Sequence, residues 1–396
     1  MDNDIFLSDA PRGYQRSEAL QIRFDEAATK LLATDGWRDG QEPPKLVADL
    51  ALEGGGVKGL GLVGAIMVLD EAGYSFRAVA GTSAGAIAAA LVAALSKSGQ
   101  PMLRLRSLIA SLDFLKFMPK DRWRETLERV GGRVGDRIAG GATLTHRKGI
   151  FSGDYLTEWL RPILHDELGV KTFGDLCFDP ASDPQASVQP GRGYSLVVHT
   201  SDLTRGLLVR LPWDYPLYGC DPDTQDPVGA VRASMSIPFF FEPVLMRSKD
   251  ARVTLPRTGG GETVVHYAAG TQTWVDGGLL ENFPIRAFDR VDGNKPRWPT
   301  IGIKLSRFQT EFPPLGACNS ALAVAKRCVK TLTGEWDSHS VDESTAARTI
   351  FVDHAGLNAT NFGLTKKQQD QLFLNGVAAA TAFVLRSAAA NGIPLR

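Results

Sequence analysis

The chain has 396 residues, 43% of them hydrophobic, and its 44 basic residues balance 44 acidic ones to a formal net charge of zero. The length allows two or three domains or one long α/β domain, and the absence of a long Lys/Arg tract argues against a nucleic-acid partner. The four cysteines form no Cys-x-x-Cys pair. This cysteine usage indicates a reduced, cytosolic-type chain and argues against a structural zinc site.

The N-terminal sequence and the apolar runs limit the ways in which the chain can meet a membrane. The first 20 residues are polar and acidic, and they lack the basic segment and apolar stretch of a secretory signal. The longest apolar run, Ala84–Leu95, is shorter than the roughly 20 residues that span a bilayer. We therefore expect a cytoplasmic protein without a signal peptide or transmembrane helix, whose contact with membranes is peripheral.

Residues 1–44 are predicted to form an N-terminal extension with one helix near Glu18–Ala33, and residues 45–396 a single domain. This domain opens with two successive units of a strand, a glycine-rich turn and a helix. The alternation predicts an α/β fold in which crossover helices join parallel strands. The predicted elements are a strand at Lys45–Leu52, a helix at Leu60–Ala72, a strand at Phe76–Ala80 and a buried helix at Ala84–Ser96.

The segment Pro101–Met118 is amphipathic, with basic residues between apolar ones. One interpretation is an ordinary surface helix that packs on the sheet. The other is a lid or lipid-interface helix, in which Leu112, Phe114 and Leu115 enter a membrane while nearby basic side chains attract anionic lipid. Both interpretations stay open at this point.

The remainder of the chain is predicted to alternate strands, helices and polar loops. Ser152 is expected to cap a helix that Pro162 bends or ends, and a capping box at Thr365 and Gln368 is expected to open a last helix that runs to about Ala390. The predicted strands are Tyr194–Thr200, Gly206–Leu211, Thr273–Val275 and Ile301–Leu305, and the predicted surface loops are Pro180–Arg192 and Lys249–Glu262.

The sequence GTSAG at residues 81–85 is the first of three turns that indicate chemistry. It follows a predicted strand and opens an apolar helix, and a Gly-x-Ser-x-Gly turn in that setting can present a serine hydroxyl at the top of a sheet. Gly81 and Gly85 leave room for a strained backbone around Ser83. The alternative is a serine that only caps the following helix.

The glycine run in EGGGVKG, residues 53–59, closes the preceding strand. Backbone N–H groups in such a run can bind a developing oxyanion, and we expect Gly55 and Gly56 to donate, with help from Gly54 or Ala84. The alternatives are a phosphate site for a nucleotide and a bland tight turn. The run fits Gly-x-Gly-x-x-Gly as a pattern, but the expected acidic residue for a ribose is absent and no Gly-Lys-Ser/Thr occurs.

The third turn is VDGG at residues 275–278, where Asp276 ends a short predicted strand. A carboxylate placed there can accept the proton of a serine nucleophile. An ordinary turn aspartate is the alternative. A Ser-Asp-His triad also stays open, and among the histidines at 146, 165, 199, 266, 339 and 354, His354 is the best placed because it follows a predicted strand.

The three ordered turns resemble those of the patatin-like phospholipase family. The resemblance rests on three motifs: GGGVKG at residues 54–59, GTSAG at 81–85 and DGG at 276–278. The segments ASMSIPFFF at 233–241 and NFP at 282–284 are also similar to the family. The likeness spans residues 45 to 305 and, more loosely, the last helix. Glu53 stands where many members carry Asp, which is a conservative departure.

The resemblance implies a three-layer α/β/α fold with a mostly parallel central sheet. It implies a catalytic dyad of Ser83 and Asp276 and an oxyanion hole of Gly54, Gly55 and Gly56. Lys58 is expected to orient that loop, to meet an anionic headgroup, or simply to be solvated. The supporting residues are expected to be Lys58, Gly59, Gly81, Gly85, Gly277 and Gly278.

The activity implied by the resemblance is that of a serine lipid acyl hydrolase of the phospholipase A or lysophospholipase type. It would act through an acyl-enzyme on a lipid or lysophospholipid at a membrane surface, without a metal or other cofactor. Two alternatives stay open: an acyltransferase that uses the same dyad, and a non-catalytic lipid- or protein-binding module.

Overall fold

A computed structural model of the protein describes residues 4–9, 11–33, 38–39, 43–117, 149–178, 193–256, 261–290, 296, 298–305, 342–357, 359 and 361–393. The strands in these ranges are β1 (Ile5–Leu7), β2 (Tyr14–Arg16), β3 (Leu46–Leu52), β4 (Tyr74–Thr82), β5 (Gly149–Phe151), β6 (Cys177–Phe178), β7 (Gly193–Tyr194), β8 (Leu196–Asp202), β9 (Leu207–Leu211), β10 (Phe239–Phe241), β11 (Val244–Ser248), β12 (Ala251–Pro256), β13 (Glu262–Tyr267), β14 (Gly270–Asp276), β15 (Thr300–Lys304) and β16 (Thr349–Phe351). The α-helices are α1 (Glu18–Leu32), α2 (Leu60–Glu71), α3 (Ala84–Lys97), α4 (Arg104–Ala110), α5 (Asp154–Pro162), α6 (Pro227–Ser234), α7 (Glu343–Ala347) and α8 (Lys366–Ala389).

The largest sheet has the strand order β11-β14-β8-β4-β3-β15-β16, with β9 paired to β8 as an eighth strand. β3, β4, β8, β15 and β16 run parallel to one another, whereas β9, β11 and β14 are antiparallel to their neighbours. The predicted α/β fold with a mostly parallel central sheet is thus confirmed. The strand, turn and helix units at both glycine-rich turns lie where the sequence predicts them.

Both faces of this sheet are covered, because every residue of β3, β8 and β15 is buried. The crossover helices α2 and α3 pack against the sheet in the main hydrophobic core. The opposite face is covered by the segment that follows β14. There Phe283 and Ile285 pack on Ala51 of β3, and Phe288 packs on β4 and β8.

Helix α8 crosses α2 with the two backbones in close contact. A Cβ atom on Gly376 would stand 2.0 Å from the carbonyl oxygen of Gly61, and one on Gly64 would stand 2.1 Å from that of Phe373. In the described ranges α8 is also the one helix that is long and apolar enough to cross a membrane, but 56% of its most apolar window is buried inside the protein. Its packing on α2 accounts for this apolar character.

The described residues within 1–44 pack onto the remainder of the fold. Arg16 donates to Thr381 of α8 at 3.2 Å and to Glu71 of α2 at 2.9 Å. Its guanidinium also lies 3.8 Å from the ring centre of Phe24, which is fully buried in the main core. Helix α1 lies where the sequence predicts a helix, and the domain boundary at residue 44 stays a prediction.

The segment Pro101–Met118 does not form the single amphipathic helix that was predicted. Helix α4 ends at Ala110, and a separate 3₁₀ turn covers Phe114–Phe117, while Met118 lies outside the described residues. The break occurs at Asp113, whose carboxylate accepts the N–H of Leu115 at 3.0 Å. Leu112 is buried and Leu115 is 58% exposed, so of the two only Leu115 faces solvent.

The polar stretch Lys249–Glu262 contains structure that the sequence prediction missed. Its residues contribute β12 and the start of β13, which form an antiparallel hairpin separate from the main sheet. Both strands of the hairpin have positions exposed to solvent. Polar residues are accepted at such positions, which is why the stretch resembles a loop in composition. The other predicted loop, Pro180–Arg192, lies outside the described residues.

The start of α5 also differs from its prediction. Gly153, with φ of 72°, occupies the N-cap position, and Ser152 precedes it. The Ser152 hydroxyl still accepts the N–H of Asp154 at 3.3 Å, so it assists the turn from one position farther out. Pro162 is the last residue of α5, and a π-helical turn at Ile163–Glu167 follows. The capping box at Thr365 and the last helix are confirmed.

Candidate active site

Ser83 lies in the sharp turn between β4 and α3, and its backbone is strained. Its φ is 54° and its ψ is −124°, a conformation that costs about 1–3 kcal/mol unless the surroundings hold it. The turn is so tight that a Cβ atom on Gly81 would stand 2.3 Å from the carbonyl oxygen of Gly85. The Ser83 side chain makes no capping hydrogen bond to α3. The alternative of a simple helix cap is therefore wrong.

The sheet topology brings the end of β14 to the end of β4. Val198 of β8 pairs with both Leu211 of β9 and Gly81 of β4, so β9 and β4 lie on opposite edges of β8. Thr200 pairs with Val209 of β9 and with Asp276 of β14. β4 and β14 therefore share one edge of β8. Because they run in opposite directions along it, their carboxyl ends meet.

At this meeting point the two predicted catalytic side chains are in direct contact. The Ser83 hydroxyl donates a hydrogen bond of 2.7 Å to Oδ2 of Asp276. Both residues are buried, and the contact joins positions 193 residues apart in the chain. The other carboxylate oxygen of Asp276 accepts the N–H of Gly278 at 2.8 Å.

The environment of Asp276 makes it a stronger base than an ordinary aspartate. Burial raises its pKa to about 7, against the lowering effect of the hydrogen bonds from Ser83 and Gly278. Both donors are neutral. A carboxyl group with a pKa near the working pH is suited to take and return a proton.

The glycine run between β3 and α2 has two backbone amides without an acceptor among the described residues. In the described part of the chain no acceptor is recorded for the N–H of Gly55 or of Gly56, whose φ is +55°. The N–H of Gly54 instead donates to the carbonyl of Asn282 at 3.0 Å. The amide of Gly54 is therefore already engaged. Of the three predicted oxyanion-hole donors, only Gly55 and Gly56 still have an N–H group available in the described part of the chain.

The base of the glycine run is fixed by buried charges. The Glu53 carboxylate accepts hydrogen bonds of 2.5 Å from Nζ of Lys304 and from the N–H of Leu305, both at the end of β15. Glu53 and Lys304 are both buried. Lys58 is buried as well, so the alternative that it is a solvated lysine is wrong.

The predicted supporting glycines surround the contact between Ser83 and Asp276. Gly59 lies near Ala84, at the start of α3, and Gly277 lies against the carbonyl of His199 on β8. Gly278 donates to Asp276. Their roles in the reaction stay predictions.

Two groups at the site were not singled out from the sequence. The hydroxyl of Ser234, at the end of α6, accepts the N–H of Ser83 at 2.8 Å. Asn282 holds Gly54 from both sides, because its side-chain amide also donates to the Gly54 carbonyl at 3.2 Å. Both residues belong to segments that are similar to the family, so the resemblance pointed to them without assigning a role.

None of the described histidines completes a triad. Among the described residues, Ser83 and Asp276 form hydrogen bonds with each other, Met235, Gly278 and backbone or hydroxyl groups, and with no histidine side chain. His199 is buried, and burial lowers its pKa to about 3. His146 and His339 lie outside the described residues. Within those residues there is also no group of three His, Cys, Asp or Glu side chains that could hold a metal ion.

An apolar pocket lies between the glycine run, α3 and the 3₁₀ turn at Phe114–Phe117. It has room for about 30 Å³, or roughly two water-sized groups. Gly56 and Ala84 line it beside the site, and so does Met235, whose sulfur lies 3.5 Å from the Ser83 hydroxyl. The remaining walls are mainly aliphatic and aromatic and include Phe117 and Phe362.

Comparisons with known proteins show what the whole chain is similar to. A family model described as patatin-like phospholipase matches residues 50–289. The chain is 32% identical over 321 residues to the uncharacterized protein YqhO of Bacillus subtilis (strain 168), and the alignment covers 81% of this chain and 92% of that protein. The crystal structure of VipD from Legionella pneumophila is similar with a TM-score of 0.43 and 19% identity, over 85% of this chain and 66% of that one.

Proposed function

The chain belongs to the patatin-like phospholipase family, whose members are lipid acyl hydrolases, and we propose that it cleaves acyl esters of phospholipids or lysophospholipids with Ser83 as nucleophile. The observation that carries the proposal is the 2.7 Å hydrogen bond from the Ser83 hydroxyl to the buried carboxylate of Asp276. A serine in a strained strand-to-helix turn, paired with a base, is the arrangement that covalent ester hydrolysis uses.

The first half of the reaction forms an acyl-enzyme. The Ser83 oxygen attacks the ester carbonyl carbon while its proton passes to Oδ2 of Asp276. The N–H groups of Gly55 and Gly56 donate to the oxyanion of the tetrahedral intermediate. When the intermediate collapses, the bond to the leaving alcohol breaks, and Asp276 returns its proton to that oxygen.

The second half releases the acyl chain. Water attacks the Ser83 ester and gives a proton to Asp276, and the second tetrahedral intermediate collapses to a carboxylic acid. Ser83 then regains its proton from Asp276. If an alcohol replaces water in this half, the same residues transfer the acyl group, so the dyad also supports the acyltransferase alternative.

The surroundings of Ser83 support a lipid substrate. The apolar pocket begins beside the nucleophile and has room for the first groups of an acyl chain. A longer chain has to displace its aromatic walls or lie outside them. Leu115, 58% exposed on the turn that borders the pocket, supports uptake of substrate from a lipid surface.

A labelling and turnover experiment tests this proposal. Wild type and Ser83→Ala are exposed to a fluorophosphonate probe and to a lipid panel read by mass spectrometry. We expect the probe on Ser83, fatty acid release by wild type, and a loss of at least ~10³-fold in the variant because the nucleophile is gone. The matched control is Ser195→Ala, a half-buried serine at the opposite end of β8 whose hydroxyl donates to Leu176.

Three outcomes would contradict parts of the proposal. Normal turnover by Ser83→Ala would end the serine mechanism. Acyl transfer to an added alcohol in place of fatty acid release would select the acyltransferase alternative. Equal rates on vesicle-bound and monomeric forms of one ester would contradict uptake from a lipid surface.

A further inference from the structure

The hydroxyl of Ser234 is bound on both sides by backbone groups around the nucleophile. It accepts the N–H of Ser83 at 2.8 Å and donates to the carbonyl of His199 on β8 at 2.6 Å. Ser234 has no exposed surface. Without this hydroxyl, the buried amide of Ser83 would lose its acceptor, and such a loss is costly in a protein interior.

The same short segment also holds the base. Two residues after Ser234, the carbonyl of Ser236 accepts the N–H of Asp276 at 2.9 Å. Between them, the sulfur of Met235 lies 3.5 Å from the Ser83 hydroxyl. Residues 234–236 therefore contact the nucleophile by a side chain and the base by the backbone. We call these three residues the bridging segment.

The bridging segment is itself braced from outside. The Arg232 guanidinium donates to the Ser236 hydroxyl at 2.6 Å, to the Glu242 carbonyl at 2.9 Å, and to the carbonyl of Ser152. Through Arg232 of α6, these contacts join the bridging segment to Ser152, which follows β5, and to Glu242, which follows β10. The Ser236 end of the bridging segment is thus held in place by Arg232.

Such a brace matters because no sheet hydrogen bond joins the two catalytic strands. β4 and β14 pair with β8 and not with each other in the described sheet. The distance from Ser83 to Asp276 is consequently not set by a ladder between their strands. The strained φ of Ser83 adds a tendency to relax, which its neighbours must oppose.

We propose that Ser234 is a positioning residue, which holds the strained Ser83 turn in register with Asp276 through the bridging segment. This inference rests on the proposed function, because it assigns a role in the Ser83–Asp276 reaction. Ser234 does not contact the reacting atoms. Its effect is on the geometry of proton transfer and attack, where misplacement by about 1 Å can cost ~10²-fold in rate.

Steady-state kinetics of Ser234→Ala on a soluble short-chain ester test the inference. We expect kcat to fall by roughly 10- to 100-fold while KM changes little, because the substrate surface is intact. We also expect a higher midpoint in the pH profile of kcat/KM, since Asp276 loses a well-aligned hydrogen bond to its carboxylate. Ser234→Cys, which keeps a weak donor and acceptor, should lie between wild type and Ser234→Ala.

The matched control is Thr349→Val at the far edge of the sheet. Its hydroxyl is also fully buried and donates to a backbone carbonyl, that of Thr345, at 2.6 Å. Thr349→Val should lower the melting temperature and leave kcat and the pH midpoint unchanged. If Ser234→Ala behaves in the same way, Ser234 is only structural and the inference is overturned.

Two further results separate the possible failures. If Ser234→Ala does not fold, Ser234→Cys carries the test, and a native kcat in that variant overturns the inference. If wild type neither turns over esters nor reacts with a fluorophosphonate probe, the proposed function itself fails. An active wild type with a fully active Ser234→Ala overturns the positioning role alone.

Discussion

Asp276 and Asp49 are two buried aspartates in nearly the same electrostatic condition, yet only one has the surroundings of a base. Burial raises the pKa of each to about 7. Asp49 accepts the Ala78 N–H at 3.1 Å and the indole N–H of Trp298 at 3.1 Å. Asp276 accepts a backbone N–H in the same way, but its second donor is the Ser83 hydroxyl.

The difference between these aspartates lies in the donor. A serine hydroxyl can give up its proton when its oxygen attacks an ester, whereas an indole or backbone N–H remains a donor throughout. Asp49 lies within β3 and joins it to β4 and to Trp298. A raised pKa is therefore a weak marker of catalysis unless the hydrogen-bond partner can react.

The largest difference between the two aspartates should appear in the ester hydrolysis rates of their asparagine variants. Asp276→Asn removes the base with little change in shape, so the ester hydrolysis rate should fall by at least ~10²-fold. Asp49→Asn makes the same chemical change at a site without a nucleophile, so its kcat should stay within a few-fold of wild type. Comparable losses in both folded variants would show that the donor does not distinguish them.

The pH dependence of kcat/KM should also distinguish the two aspartates. Asp276 must be deprotonated to accept the Ser83 proton, and its pKa is raised to about 7 by burial. We expect kcat/KM to fall by about tenfold per pH unit below pH 7 and to level off above it. Asp49→Asn should keep this profile although Asp49 has a similar pKa. A midpoint near 4 would mean that Asp276 is not perturbed as the structure indicates.

The smallest effect is on the free energy of unfolding and should rank the variants in the opposite order. In wild type both carboxyl groups have folded-state pKa values raised above their unfolded values, so their contribution is fully present below about pH 4 and is lost as the pH rises through 7. At pH 5 Asp49 is protonated, and Asp49→Asn should be destabilised by about 1–3 kcal/mol, because the amide NH2 group faces an N–H donor that the carboxyl hydroxyl oxygen could still accept. Asp276→Asn can donate to the Ser83 oxygen and should stay near wild type.

Urea unfolding at pH 5 and pH 8 checks this ranking. At pH 8 both variants should gain stability relative to wild type, since wild type then holds two buried charges. A stability difference that does not change with pH would contradict the raised pKa values. Asp276→Asn less stable than Asp49→Asn at pH 5 would reverse the expected structural roles.

The nucleophile turn could be predicted because its signals are local. A short apolar strand, the GTSAG turn and a small-residue helix follow one another within residues 76–96. The structure places β4, the strained Ser83 and α3 at those positions. The same local pattern predicted β3, the glycine run and α2.

The contact of Ser83 with Asp276 could not be derived from local pattern. It depends on β14 running antiparallel to β8 on the edge that β4 already occupies, and sequence periodicity carries no such information. The resemblance paired the two residues without this geometry. Ser234 is a similar case, because its partner amide is 151 residues away.

The β12–β13 hairpin was missed for a different reason. Its strands contain the β-branched residues of VTL and TVV, a signal for strands that the polar flanks outweighed. Among the described strands the hairpin pairs only with itself, so it lacks the apolar face of a strand in the main sheet. Between α4 and the 3₁₀ turn, Asp113 accepts the N–H of Leu115 and donates its own N–H to the Tyr155 hydroxyl, contacts that the amphipathic pattern of the segment did not predict.

The contacts of the glycine run with late parts of the chain have a consequence for biosynthesis. The N–H of Val57 donates to the Ala359 carbonyl at 3.1 Å, and α2, which follows the run, is covered by α8. A ribosome releases Ser83 and Asp276 long before these partners emerge. If the proposed mechanism holds, the nascent polypeptide carries Ser83 and Asp276 while the glycine run between β3 and α2 still lacks these contacts. We therefore expect ester hydrolysis to begin only after α8 has docked on α2, so that the order of synthesis keeps a partly made chain from attacking lipid esters.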